Sequence, residues 1–200
     1  MKKMTVISIC LILAAVMLFL SGCPAVVVVG AAGAAAGGGY AVGKDKRSVE
    51  QQVEDQNLAA SIKREFNNDE QLKDLGLTVY SFLGNVFLVG IKMTDEQEAL
   101  ALSTAQRFRE TKSAKAFLVK VDQIDTAQEF AGDSAITAQV KARLAGDTAI
   151  ESMQINVKTV RGYVVLLGIV DDDTIVYKAK WQAEQVVGKD KVVSFLLTAK

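Results

Sequence analysis

The strongest constraint on this chain is an internal repeat. Residues 58–122 align with residues 136–200 at a constant offset of 78, without a gap. Identical pairs include Ala60/Ala138, Lys63/Lys141, Asp69/Asp147, Val79/Val157, Gly84/Gly162, Val86/Val164, Leu88/Leu166, Gly90/Gly168, Ile91/Ile169, Ala101/Ala179, Ala105/Ala183, Phe117/Phe195 and Leu118/Leu196. Ile62/Val140, Leu72/Ile150 and Leu77/Ile155 are conservative. Self-similarity at a fixed offset means one supersecondary unit made twice. Whatever fold the first copy adopts, the second must adopt as well.

Each copy reads helix, strand, strand, helix, strand. The first helix shows apolar residues at i, i+4, i+8: Leu58, Ile62, Phe66, and Ile136, Val140, Leu144. Asp133 or Ser134 is placed to cap the second copy. Hairpins follow, Leu77–Leu83 with Val86–Ile91 and Ile155–Val160 with Val164–Val170. Their turns hold Gly84-Asn85 and Arg161-Gly162, residues that tolerate positive φ. The second helix opens on the capping box Thr94-Asp95-Glu96-Gln97 in one copy and at Asp173 in the other. Its small face, Ala101/Ala105 or Ala179/Ala183, lets it lie close on a sheet. Final strands span Ala116–Val121 and Val192–Ala199. The expected fold is α+β, an α/β sandwich of one three-stranded mixed sheet and two helices per module, with a right-handed crossover. The modules are placed at 57–122 and 133–200.

Ahead of the repeat lies a targeting signal. Met1-Lys2-Lys3 is basic, Thr5 to Leu20 is uncharged and apolar, and Leu20-Ser21-Gly22-Cys23 follows. That tetrapeptide resembles the lipobox of bacterial lipoproteins, which implies a signal peptide over 1–22 and acylation of Cys23, palmitate included. Residues 23–56 hold the lipidated cysteine and a linker rich in Ala, Val and Gly. An uncleaved membrane helix is the alternative, but Gly30, Gly33 and Gly37-Gly38-Gly39 disfavour a continuous span. Pro24 is not the Asp that marks inner-membrane retention.

Composition narrows the chemistry. Processing removes Lys2 and Lys3, leaving 21 basic against 23 acidic side chains, without the basic excess of a nucleic-acid binder. The chain has no histidine, and its cysteines are Cys10, in the signal, and Cys23. Disulfides, Cys/His metal sites and His- or Cys-based catalysis are excluded from the mature protein. Asp171-Asp172-Asp173 lacks the glycine and distal glutamate of an EF-hand and reads as a helix start. The expectation is a protein that is not an enzyme, has no metal, and carries no cofactor beyond the covalent lipid on Cys23.

The Gly84/Gly162 hairpin, the Val-x-Leu-x-Gly strands (Val86–Gly90 and Val164–Gly168), the Ala-rich second helix and the apolar last strand together resemble the BON domain. A lipobox, an Ala/Val/Gly tail, Arg47-Ser48-Val49 and two such modules are similar to the dual-BON outer-membrane lipoproteins. The resemblance implies a protein anchored on the periplasmic face of the outer membrane, supporting its integrity. It also implies that the first helix of the second module binds anionic phospholipid. Those lipoproteins carry a tryptophan where this chain has Ala135 and a leucine where it has Ala145, so a weaker or shifted contact is expected.

Helix geometry points to the same helix. At 100° per residue, the face opposite Val140 comprises Ala135, Ala138, Ala142 and Ala145, flanked by Thr137, Gln139, Lys141 and Arg143. The equivalent face of the first module, Asn57, Ala60, Arg64 and Asn67, is an ordinary solvated surface. Lipid contact, packing against the other module, and plain helix propensity would each explain the alanines. On the other helix, Tyr177 and Trp181 stand opposite Ala179, Ala183 and Val186, beside Lys178 and Lys180. Such a pair suits a membrane interface or a docked envelope protein.

Overall fold

The computed structural model describes residues 45–122, 127–151 and 154–199. The signal, Cys23 and the glycine-rich linker to residue 43 lie outside the described residues. The elements run α1 (Val49–Asn68), β1 (Thr78–Phe82), β2 (Asn85–Lys92), α2 (Asp95–Gln106), β3 (Ser113–Lys120), α3 (Ala127–Gly146), β4 (Ile155–Val160), β5 (Tyr163–Val170), α4 (Asp173–Val187) and β6 (Val192–Thr198). Each module is a three-stranded mixed sheet, ordered β1-β2-β3 or β4-β5-β6. The first pair in each is antiparallel and the second parallel. α1 and α3 begin ahead of residues 57 and 133, where the repeat alignment placed the module starts.

The helix stripes are buried as the spacing demands. Leu58, Ile62 and Phe66 are at most 5% exposed, as are Val140 and Leu144. Thr94 caps α2 through a complete capping box with Gln97, and Asp172 caps α4 by accepting from Ile175 N–H at 3.0 Å. Asp133 and Ser134 do not cap α3, because the helix starts at Ala127 and runs through them.

Asp133 works instead on the hairpin. Its carboxylate accepts from the Arg161 and Gly162 amides, both at 2.8 Å. Arg161 (φ 51°) and Gly162 (φ 75°) are the two turn residues. In the first module the turn is Leu83-Gly84, with φ of 56° and 79°, rather than Gly84-Asn85. Asn85 belongs to β2 and pairs with Phe82. A type I′ turn needs positive φ at both central positions, and a leucine tolerates it here because Asp55 receives its amide at 2.8 Å and that of Gly84 at 3.0 Å. Asp55 and Asp133 are equivalent positions, three residues upstream of the aligned repeat.

The glycine that ends each Val-x-Leu-x-Gly strand has a steric reason. A Cβ on Gly168 (φ 148°) would fall 2.1 Å from the Gln154 carbonyl oxygen, so the approach to β4 passes where a side chain would stand.

The two modules share an interior. Along β5, Val164, Leu166 and Val170 join the core beneath α3 and α4, whereas Val165, Leu167 and Ile169 join that of the first module. The Phe87 ring stacks on Phe195 at 5.0 Å, and Phe117 meets Tyr163 at 5.6 Å. The sheets therefore pack face to face, with α1 and α2 outside one and α3 and α4 outside the other. No helix of the described residues is long and apolar enough to cross a membrane.

Candidate contact surface

Sheet-on-sheet packing decides what the alanine face of α3 is not. The intermodule contact is made by β-strands, so α3 keeps its outer side free, contrary to the reading in which that side packs on the first module. Ala135, Ala138, Ala142 and Ala145 are exposed, as are Lys141 and Arg143. Neither cation has an ion pair among the described residues.

α4 lies alongside α3 on the same side of the sheet. Ala179 and Ala183 are fully buried, which allows the close approach, and Gln182 donates to Asp147 at 3.1 Å to tie the helices together. Opposite them Tyr177 is 71% exposed and Trp181 47%. The structure thus brings all eight residues singled out in the sequence onto one two-helix layer. The first-module counterparts of the alanines and the aromatic pair, Asn57, Ala60, Arg64, Asn67, Ala99 and Ser103, form an exposed polar or small surface.

Sequence reasoning missed Phe130, 68% exposed near the start of α3. It precedes the repeat window, and its counterpart is Gln52, so no repeat signal marked it. Nearby, Arg161 pairs with Glu129, and the Thr137 and Thr159 hydroxyls lie 2.7 Å apart. Phe130 stands at a cleft of about 460 Å³ lined also by Leu75, Gly76, Ile91 and Val160.

A second groove, about 730 Å³, lies beside α1 in the first module and is lined by Leu58, Leu83, Phe108, Arg109 and Lys112. Beside it α2 stops at Gln106, a turn earlier than α4, whose end at Val187 corresponds to residue 109. The triple aspartate resolves into a helix cap at Asp172 and an ion pair, Asp171 with Lys46 at 2.5 Å.

Among the described residues, the most buried charge lies at the hairpin of the first module. Asp55 is 4% exposed and accepts from Ser81 Oγ at 2.5 Å and from Arg47 Nη1 at 2.8 Å, besides the two turn amides. Burial opposes its charge, but the Ser81, Gly84, Arg47 and Leu83 donors prevail and hold its pKa below the ordinary carboxylate value. Every oxygen is satisfied, so this cluster is structural.

Comparison with known proteins agrees with this architecture. Residues 54–113 and 132–200 each match the BON domain. The outer membrane lipoprotein DolP of Haemophilus influenzae is 29% identical, over 78% of this chain and 79% of that one. The osmotically-inducible protein Y of Escherichia coli is 27% identical, over 80% of each. An uncharacterized protein of Anaplasma centrale is 31% identical, over 60% of this chain and 80% of its own.

Proposed function

The chain belongs to the BON domain family, as a tandem pair, and from that premise we propose an envelope protein anchored through acylated Cys23 at the periplasmic face of the bacterial outer membrane. Its second module lays the outer surface of α3 and α4 on anionic phospholipid, and the protein supports membrane integrity by binding rather than by catalysis. One observation carries this reading: the outer layer of the second module exposes Ala135, Ala138, Ala142, Ala145 and the Tyr177/Trp181 pair, where the aligned positions of the first module are Asn57, Ala60, Arg64, Asn67, Ala99 and Ser103.

Magnitudes fit a peripheral contact. Each basic side chain near an anionic surface contributes about 1 kcal/mol, so Lys141, Arg143 and Lys178 together supply roughly 3 kcal/mol, a millimolar-range affinity, while Lys180 is engaged by Glu184 at 3.8 Å. Tyr177 and Trp181 add interfacial anchoring. Such a contact is weak for a free protein but sufficient for one already tethered, because the anchor supplies a high effective concentration. The lipid holds the protein; the module orients it.

The test uses residues 44–200 without the anchor. They should sediment with vesicles containing phosphatidylglycerol or cardiolipin and not with neutral ones. Absent binding, or equal binding to neutral vesicles, defeats the reading. The exposed Tyr177/Trp181 pair also favours a second reading, an adaptor that docks an envelope protein through this face. A photo-crosslinker at position 181 in cells would then give a discrete protein adduct.

A further inference from the structure

A strand at the margin of a sheet leaves one row of backbone N–H and C=O groups without a ladder partner, and folds guard such margins with charge. The described residues have four margins: β1 and β3 in one sheet, β4 and β6 in the other. Basic side chains guard three of them. Beside β1, the Leu77 carbonyl accepts from Lys63 Nζ at 2.8 Å and the Ser81 carbonyl from Arg47 Nη1 at 3.2 Å. β3 carries the exposed Lys115 and Lys120, and β4 carries Lys158. β6 reads Val-Val-Ser-Phe-Leu-Leu-Thr, without a charge, a proline or a glycine, the composition of a strand that pairs with its own kind. At the repeat offset, Val193 stands where β3 has Lys115, and Thr198 where it has Lys120. The ladder also settles which groups of β6 point outward. Ala199 N–H donates to the Val170 carbonyl at 2.8 Å, so Ala199, and by alternation Leu197, Phe195 and Val193, turn their backbone groups to β5. Those of Val192, Ser194, Leu196 and Thr198 turn away. On that outer row the Leu196 N–H bonds to Ser194 Oγ at 3.4 Å, a long contact within its own strand.

We propose that β6 is a dimerisation edge: it pairs antiparallel with β6 of a second copy of this chain and joins their second-module sheets into one. The register that uses the whole strand is centred on Phe195. It sets Val192 against Thr198 and Ser194 against Leu196 of the other copy, outer row against outer row. Four such pairs exchanging two bonds each give about eight hydrogen bonds. A second copy is the occupant this strand fits, because every residue it brings opposite β6 is uncharged. On the side facing the first module, Val193 meets Leu197 of the other copy, apolar against apolar. The contact is isologous about a two-fold axis normal to the sheet, which keeps α3 and α4 of both copies on one side. One strand of contact falls short of the roughly 1,600 Å² of a standard interface, so the dimer dissociates readily and the test traps it covalently. The inference needs no lipid contact, and it stands or falls apart from the reading in which α3 and α4 meet a bilayer.

The test uses the whole chain as cells make it. Ser194→Cys puts a thiol on the outer row of β6, and Ala116→Cys puts one at the matched position of β3. Both positions are half-buried, and labelling with a monofunctional maleimide normalises their reactivity. The wild type, with its own cysteines, is the blank. A short bis-maleimide added to the cells should convert Ser194→Cys into a species of twice the chain's mass, while Ala116→Cys stays at the level of the blank. Adding Thr198→Lys to Ser194→Cys restores the guard that β3 has at Lys120. The Val192/Thr198 pair occurs twice in the dimer, so this change should cut the crosslinked yield about tenfold. Its thermal midpoint should be unchanged, since Thr198 is half-exposed at the strand's end. Equal dimer from Ser194→Cys and Ala116→Cys overturns the proposal, as does undiminished crosslinking in the Thr198→Lys variant. An adduct with a different protein in place of the second copy overturns it too.

Discussion

The two modules trace the same path and differ in what they do with equivalent positions. Both hold a type I′ hairpin by a carboxylate from the first helix. Asp55, however, receives Arg47 and Ser81 in addition to the two turn amides, whereas Asp133 receives the amides of Arg161 and Gly162. The residue matching Ser81 is Thr159, which turns to Thr137. The first module holds a buried ionic cluster at the start of its first helix; the second has a lighter clamp and an outer layer of alanine, tyrosine and tryptophan. What repeats is the fold, and what fails to repeat marks the work each module does.

The largest effect should come from breaking what the modules share. Phe87 and Phe195 stack across the interface, and truncating a buried phenylalanine costs about 3–5 kcal/mol. Phe87→Ala should lower stability on that scale, and Phe195→Ala, at a half-buried ring, by less. The double variant should fall short of additivity by about 0.5–1.5 kcal/mol, the coupling of an aromatic pair. A single cooperative transition is expected in denaturant, and two separate transitions would mean the modules fold independently.

Next come the clamps. Asp55→Ala removes an acceptor of four bonds, one of them from Arg47, which keeps Asp45 and the Ser81 carbonyl, and should cost about 3 kcal/mol. Asp133→Ala should cost about 1–2 kcal/mol, since it removes neutral-donor bonds only. Equal losses in chemical denaturation would show that the ionic cluster adds nothing.

Acid titration sharpens the same contrast. The folded Asp55 has a pKa below its unfolded value, so its contribution is complete above about pH 4. It is lost as pH falls below that value through the folded pKa. Stability measured from pH 5 downward should therefore decline less steeply in Asp55→Asn than in wild type, and parallel slopes would count against the assignment.

The repeat made most of this architecture legible. The 3.6-residue stripes, the capping box at Thr94 and the alternation of turns and strands all follow local rules, and the structure obeys them. Two features were less visible. Asp55 and Asp133 act on residues 28 or 29 positions away, and a lone carboxylate on a helix looks identical whether it caps or clamps. Face-to-face sheet packing did leave a trace. Val164-Val165-Leu166-Leu167 is continuously apolar, as a strand buried on both sides should be, and not alternating as a half-exposed strand would be. The two-helix contact layer was readable residue by residue, but as two separate faces. Their union needed α3 and α4 side by side, which no helical period encodes.

The smallest effect on stability tests the functional half of the comparison. Ala135 is exposed on the outer side of α3, at the position where the dual-BON lipoproteins were expected to carry tryptophan. Ala135→Trp adds no contact within the protein and should change stability by less than about 0.5 kcal/mol. At a bilayer interface the added ring gains a favourable environment worth about 1.5 kcal/mol, or roughly tenfold in affinity. Residues 44–200 carrying this change should bind anionic vesicles about tenfold more tightly. The matched substitution Asn57→Trp, on the solvated layer of the first module, should leave binding unchanged. If both raise binding alike, tryptophan alone is the cause and the difference between the modules says nothing about lipid. If only Ala135→Trp does, the layer formed by α3 and α4 meets the membrane.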